Sequence, residues 1–140
     1  MYIQDFAVPK EDRLPFSKFM AYIARVDGKI TIEEKKAIDN VILAMGLDEE
    51  GVKEVYDVME NGASLESLSK EFKSQKSPYL LIQEIITLAH IDSNYDETEK
   101  KSVREIASSF GIDEKRVSDL EGWVAEGISW REKGIALITP

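Results

Sequence analysis

The chain repeats itself once, and this repeat limits the possible folds more than any other feature of the sequence. Residues 24–49 and 89–114 align without a gap at a constant offset of 65 positions. The identical positions are Ala24 with Ala89, Asp27 with Asp92, Glu34-Lys35-Lys36 with Glu99-Lys100-Lys101, Gly46 with Gly111, and Asp48-Glu49 with Asp113-Glu114. A unit of this length that occurs only twice is not typical of a solenoid. We therefore expect two similar halves packed around one core.

Apolar side chains recur every three or four residues along the chain, and no segment alternates between apolar and polar residues. This spacing predicts an all-α fold without a sheet. The predicted helices begin at about Leu14, Thr31, Asp48, Ser64, Tyr79, Asp96 and Asp113. The short fourth helix should run from Leu65 to about Lys73, and the tail from Trp130 to about Leu137 should mirror it. Residues 1–13 form an extended lead-in, and residues 14–140 form one domain with repeat copies 14–74 and 79–138.

Each half contains an acidic turn between two predicted helices. We call residues 27–34 the first corner and residues 92–99 the second corner. Thr31 and Glu34 fit a capping box, in which the hydroxyl accepts from the third backbone amide and the glutamate accepts from the first. Asp96 and Glu99 fit the same pattern in the second corner. The sequence thus predicts that both corners end in a capped helix.

The aspartate at the start of each corner is not needed for capping. A carboxylate at a helix C-terminus faces the negative end of the helix dipole, so something should compensate for it. Hydrogen bonds from the following loop amides are one candidate. The other is a bound cation, because hard divalent cations take several oxygen ligands at once. The candidate ligands are Asp27 and Glu34 in the first corner, and Asp92, Asp96 and Glu99 in the second corner.

The second corner resembles the first half of an EF-hand loop but departs from the rest of that pattern. Oxygen side chains alternate at Asp92, Asn94 and Asp96, whereas Glu97 replaces the required glycine and Val103 replaces the bidentate glutamate. A shorter site for a cation of the calcium or magnesium type remains open. So does a purely structural role, since capping alone explains four of the residues in the two corners.

The charge balance excludes several partners. The formal net charge is −9, which disfavours nucleic acid and anionic membrane surfaces. No segment has the length and apolarity of a transmembrane helix, and Met1 to Asp5 lacks the basic start of a signal peptide, so we expect a cytoplasmic protein.

The residue inventory argues against an enzyme. The chain has no cysteine, which rules out thiolate zinc sites. His90 is its only histidine, so a catalytic serine would have a single imidazole available as its base. A lone histidine on a packed helix, such as His90, is more often a partly exposed residue with a satisfied nitrogen than a metal ligand. Trp123 occupies a core position of the repeat and should be buried, whereas Trp130 is the better candidate for a contact surface.

The first corner and its flanks resemble the signature of the TerB-like domain family, which is named for a tellurite-resistance protein. The residues that carry the resemblance are Ala24-Arg25-Val26-Asp27-Gly28-Lys29-Ile30-Thr31-Ile32-Glu33-Glu34. It extends from about Leu14 to Ala125 and includes Gly46 and the second copy. A similar domain occurs in the N-terminal part of a membrane-anchored DnaJ-like co-chaperone. Two departures are Val26, where alanine is frequent, and Ser93-Asn94, where the family has a glycine-containing turn.

The resemblance implies a compact all-helical array of about seven helices with pseudo-twofold character. It also implies a cytoplasmic, stress-associated protein that can be membrane-peripheral, with acidic residues suspected of binding metal and with a role as an interaction scaffold. Our first hypothesis is a non-enzymatic domain with a divalent-cation site, linked to tellurite, metal or general stress. The alternative is a protein–protein interaction scaffold for an unidentified partner, in which the corners serve only as caps. A hydrolase or another enzyme is a third hypothesis.

Overall fold

The computed structural model describes residues 6–26, 30–92 and 95–140, and gives only the backbone of Val26, Ile91 and Asp92. Within these ranges the chain is helical and contains no strand. The α-helices are α1 (Arg13–Val26), α2 (Ile32–Met45), α3 (Glu49–Asn61), α4 (Leu65–Ser69), α5 (Ser77–Asp92), α6 (Glu97–Ser109) and α7 (Glu114–Ile138). The all-α prediction is confirmed, and so is the order of the helices up to the start of α7.

Short polar side chains begin most of these helices where the sequence predicted. Thr31, Asp48, Ser64, Asp96 and Asp113 all have extended backbone and accept a hydrogen bond from an amide three residues later. These bonds satisfy amides that have no partner inside the helix. Gly46 ends α2 with φ of 64°, a left-handed conformation that favours glycine.

The first of two compact units, Met1–Leu80, is built around α1. This helix packs against α2 and α3, and Phe19 at its centre is fully buried. The Phe19 ring stacks on Phe72 with centroids 5.6 Å apart. The other buried apolar side chains of this unit include Phe16, Met20, Ile38, Val55, Val58 and Leu68.

The lead-in is not wholly extended, because Lys10–Asp12 form a short 3-10 helix directly before α1. Asp12 is completely buried. Its two carboxylate oxygens accept hydrogen bonds from the amides of Lys73 and Ser74, at 2.7 and 2.9 Å, and from the Ser77 hydroxyl at 2.6 Å. Burial of a carboxylate requires such donors. Asp12 therefore fixes the segment that leads from α4 into α5.

The second unit, Leu81–Pro140, contains most of α5 together with α6 and α7. All three helices contribute fully buried side chains, namely Leu81, Ile82, Ile86, Val103, Ala107 and Val117. Arg104 on α6 joins α7 through Glu114 and Glu121, with nitrogen–oxygen distances of 2.8 Å to each carboxylate. The assignment of residues 14–140 to one domain stays a prediction.

The end of the second half differs from the repeat prediction. The structure has one continuous helix from Glu114 to Ile138, so the tail does not mirror α4, and α4 itself ends at Ser69 rather than near Lys73. In the first half, Gly62 ends α3 with φ of 78°, and the Arg25 guanidinium donates to the carbonyls of Met59 and Glu60. Position 127 also holds a glycine, but it remains helical. The residue that matches Arg25 is His90, whose shorter imidazole side chain has no guanidinium group.

The prediction that Trp123 is a core residue is wrong, since 49% of the residue is exposed. Val117 and Val124 are the buried residues of α7. Adjacent positions on a helix lie about 100° apart, so the side chain next to Val124 leaves the buried side.

Candidate cation site at the helix corners

The described part of the first corner is the capping box at the start of α2. The Thr31 hydroxyl accepts from the Glu34 amide at 3.1 Å, and Glu34 Oε1 accepts from the Thr31 amide at 3.1 Å. The predicted box is therefore confirmed. Asp27, the other candidate ligand of this corner, lies outside the described residues.

The second corner begins where α5 ends, at Asp92. Asp96 Oδ1 accepts from the Glu99 amide at 2.9 Å and so caps α6. The backbone of Asp92 is described but its side chain is not, and Ser93 and Asn94 lie outside the described residues. The capping role of Asp96 is confirmed, while the proposed ligand set stays a prediction.

The caps leave part of each carboxylate available. Glu34 uses Oε1 and Asp96 uses Oδ1 in the bonds given above. Within the ranges that the structure describes, the second oxygen of each accepts no hydrogen bond. Over those same ranges, no three histidine or carboxylate side chains converge on a point where a metal ion would fit. A complete ligand set at either corner would therefore need Asp27 or Asp92.

An aromatic cluster lies directly beside the second corner. The Tyr95 ring packs against His90, with centroids 5.1 Å apart, and Lys100 Nζ lies 5.7 Å from the centre of the same ring. This packing favours the structural interpretation of His90. The Tyr95 hydroxyl is buried and forms no hydrogen bond with the described residues. Burial and the nearby Glu121 carboxylate raise the pKa of Tyr95.

Arg104 and Glu121 form an ion pair near Tyr95, and both affect the pKa of its hydroxyl. Two of its guanidinium nitrogens bind the two Glu121 oxygens, at 2.8 and 3.1 Å, in a bidentate pair. The Arg104 hydrogen bond lowers the pKa of the Glu121 carboxyl, so this group stays ionised. The repeat did not reveal this pair, because neither residue matches its counterpart in the first half.

The profile of one known family, described as tellurite resistance protein TerB, matches residues 13–121. The chain belongs to the TerB family. The match covers most of the chain, includes both corners, and agrees with the resemblance carried by the first corner. No curated protein and no solved structure matched the chain.

The TerB match ends inside α7, so the last turns of that helix and the tail lie beyond it. Across the part of the chain that the structure describes, no helix combines the length and apolarity needed to cross a bilayer.

Proposed function

We propose that this TerB-family protein is a non-enzymatic domain that binds a divalent cation at its acidic corners, in a response to tellurite, metal or general stress. The observation that carries the proposal is the way the corner carboxylates are used. Glu34 and Asp96 each commit one oxygen to a helix cap, and within the described residues the other oxygen accepts no hydrogen bond. A carboxylate can cap a helix with one oxygen and bind calcium or magnesium with the other.

The sequence around these two carboxylates supports the same proposal. Asp27 and Asp92 precede them at matching positions of the repeat, and Glu99 follows Asp96 by one helical turn. Each corner would then offer carboxylates from both ends of one turn. The non-enzymatic part rests on the inventory of one histidine and no cysteine.

An interaction scaffold is the second candidate, and the caps themselves favour it. The hydrogen bonds of Thr31, Glu34 and Asp96 account for their presence without any ligand. In that case the acidic surface would bind a basic protein partner, and a pull-down of that partner would survive a chelator.

Calorimetric titration of chelator-stripped protein with calcium, magnesium, manganese and zinc separates the two candidates. We expect saturable binding that is lost in Asp27→Asn and Asp92→Asn. Asp48→Asn and Asp113→Asn are matched controls, because these residues also cap helices at equivalent positions of the repeat but lie outside the corners. Heat from no cation, or equal loss in the controls, would reject the cation site.

Asp96→Asn sharpens this test at a single residue. Asparagine caps a helix about as well as aspartate, so this variant keeps the cap and removes the charge. A cation ligand would show as reduced cation affinity with little change in the melting temperature of the metal-free protein. Unchanged affinity would assign Asp96 to capping alone.

A further inference from the structure

The last turns of α7 carry large apolar side chains into solvent. Beyond Val124, every residue of this helix is exposed except Ile128, which is partly covered. Trp130 is 78% exposed and Leu137 is 86% exposed, and Ile135 and Ile138 are exposed in the same turns of the helix. Contiguous apolar surface of this kind on a folded domain marks an interaction site. It lies beyond the residues shared with the TerB family, so the family match does not explain it.

Four residues in the last turns of α7 form a stripe along one side of the helix. Gly127, Trp130, Gly134 and Leu137 follow one another at spacings of three, four and three, which is the spacing of a coiled-coil seam. Small and large residues alternate along it. A Cβ atom added at either glycine would meet nothing within 4 Å, so the space above both glycines is open. The stripe thus presents two large side chains, Trp130 and Leu137, and two open positions above the glycines that can receive large side chains of a partner.

We propose that this stripe pairs with the same stripe of a second copy of the chain, as an antiparallel helix pair. With the two-fold axis at the level of residue 132 along the helix, Trp130 lies opposite Gly134 of the second copy, and Leu137 lies opposite its Gly127. Each large side chain then meets a small one, as close packing between helices requires. A parallel pair would place Trp130 against itself and leave both glycines facing gaps.

The size of the stripe predicts a reversible dimer. Aromatic side chains bury about 150–250 Å² each, so Trp130 and its aliphatic neighbours from both copies would bury on the order of 1,000 Å² in total. This is the lower limit for a specific interface. We therefore expect dissociation constants in the range of roughly 10–100 μM, since small interfaces have little binding energy in excess of the cost of association.

The charge distribution supports a second copy over a phosphate-bearing partner. Residues 122–140 contain two acidic and two basic side chains, Glu126, Arg131, Glu132 and Lys133, whereas the whole chain carries −9. This end of the molecule therefore repels its own copy less than the rest does. Arg131 and Lys133 lie beside the proposed axis, where each approaches its own copy. Salt screens such like charges, so added salt should strengthen the dimer.

Sedimentation equilibrium of the 140-residue chain between about 5 and 500 μM tests the proposal. We expect the mass to rise from monomer to dimer over this range. Gly134→Leu fills the open position that would receive Trp130 of the second copy, so it should weaken the dimer at least tenfold. Ala136→Leu adds a similar bulk to the other side of the helix and should leave it unchanged. Leucine favours a helix over glycine, and circular dichroism would confirm that both variants fold.

The orientation has its own measurement. The chain has no cysteine, so Ala125→Cys and Glu132→Cys allow a single spin label at two positions on the side away from the stripe. In the antiparallel pair, the two labels at Ala125 are displaced by about 21 Å along the helix axis and those at Glu132 are not. A parallel pair would give equal label distances at both positions. A monomer at every concentration, equal effects of the two leucine variants, or equal label distances would overturn the proposal.

Discussion

The two halves of this protein use the same positions for different interactions. In the second half, Arg104 on α6 binds Glu121 on α7. At the matching positions of the first half, 65 residues earlier, Asp39 on α2 accepts a 2.5 Å hydrogen bond from the Tyr56 hydroxyl on α3. Both pairs join the helix after a corner to the next helix. The repeat therefore preserves which positions meet, while the chemistry of the contact has changed.

The largest expected effect comes from the starts of α1 and α5, where Asp12 and its counterpart Ser77 bond directly. Asp12→Ala leaves buried donors without an acceptor and should lower the free energy of unfolding by about 3 kcal/mol or more. Ser77→Ala removes only one of the three donors and should cost about 1 kcal/mol. Urea denaturation of both variants measures this difference. Similar losses in the two would mean that Asp12 does not organise the 73–77 segment.

The contact between helices differs in strength between the halves. Arg104→Ala removes a bidentate, partly exposed ion pair and should cost about 1–2 kcal/mol after solvent screening. Tyr56→Phe removes one hydrogen bond to Asp39 and should cost about 1 kcal/mol or less. Thermal unfolding of both variants in low and high salt provides the comparison. Only the Arg104 variant should show a reduced dependence on salt; a salt response in both would argue against the distinction.

The same pair gives the second half an acid-sensitive contact. Arg104 lowers the pKa of Glu121 in the folded state, so the folded protein binds this proton less readily than the unfolded chain. The stabilisation is present above the ordinary glutamate pKa of about 4.3 and is lost as the pH falls through the lowered folded value. Glu121→Gln should flatten the acid limb of a stability–pH profile. An acid limb that Glu121→Gln leaves unchanged would contradict this role of the pair.

Glycine substitutions at matching positions should act in opposite directions. Gly62 has φ of 78°, and an added Cβ would lie 3.0 Å from Arg25 Nε, so Gly62→Ala should destabilise by about 1–2 kcal/mol. Gly127 lies within a helix and has open space around it, so Gly127→Ala should stabilise by about 0.5–1 kcal/mol. Both are best measured at low micromolar protein, where self-association is small. An increase in stability from both substitutions would contradict the conclusion that α3 ends at Gly62 whereas α7 continues through Gly127.

The smallest difference is expected between the two corner caps. Thr31→Ala and Asp96→Ala each remove a side chain that accepts from an amide three residues later. Each should cost about 1 kcal/mol, because both leave a helix amide without its partner. Chemical denaturation in the presence of a chelator isolates this effect from any cation. A markedly larger loss in one variant would show that its corner carries more than a cap.

The sequence alone determined the all-α fold class and where most of the helices begin. These features depend on contacts within a few residues. Thr31 and Asp96 cap amides three residues away, and the glycine at position 46 ends its helix by its own conformation. Local rules of this kind can be read from a pattern.

Only the tertiary structure decided which helices end and which polar residues are buried. Gly62 and Gly127 match in the sequence, yet α3 ends at the first with Arg25 on its last carbonyls, and α7 continues through the second. The sequence places Asp12 in an extended lead-in, whereas its hydrogen-bond donors lie more than 60 residues away along the chain. Trp123 holds a core position of the repeat and still lies half exposed. A sequence repeat preserves the spacing of residue types along the chain, whereas burial and helix ends depend on contacts with residues that are distant along the chain.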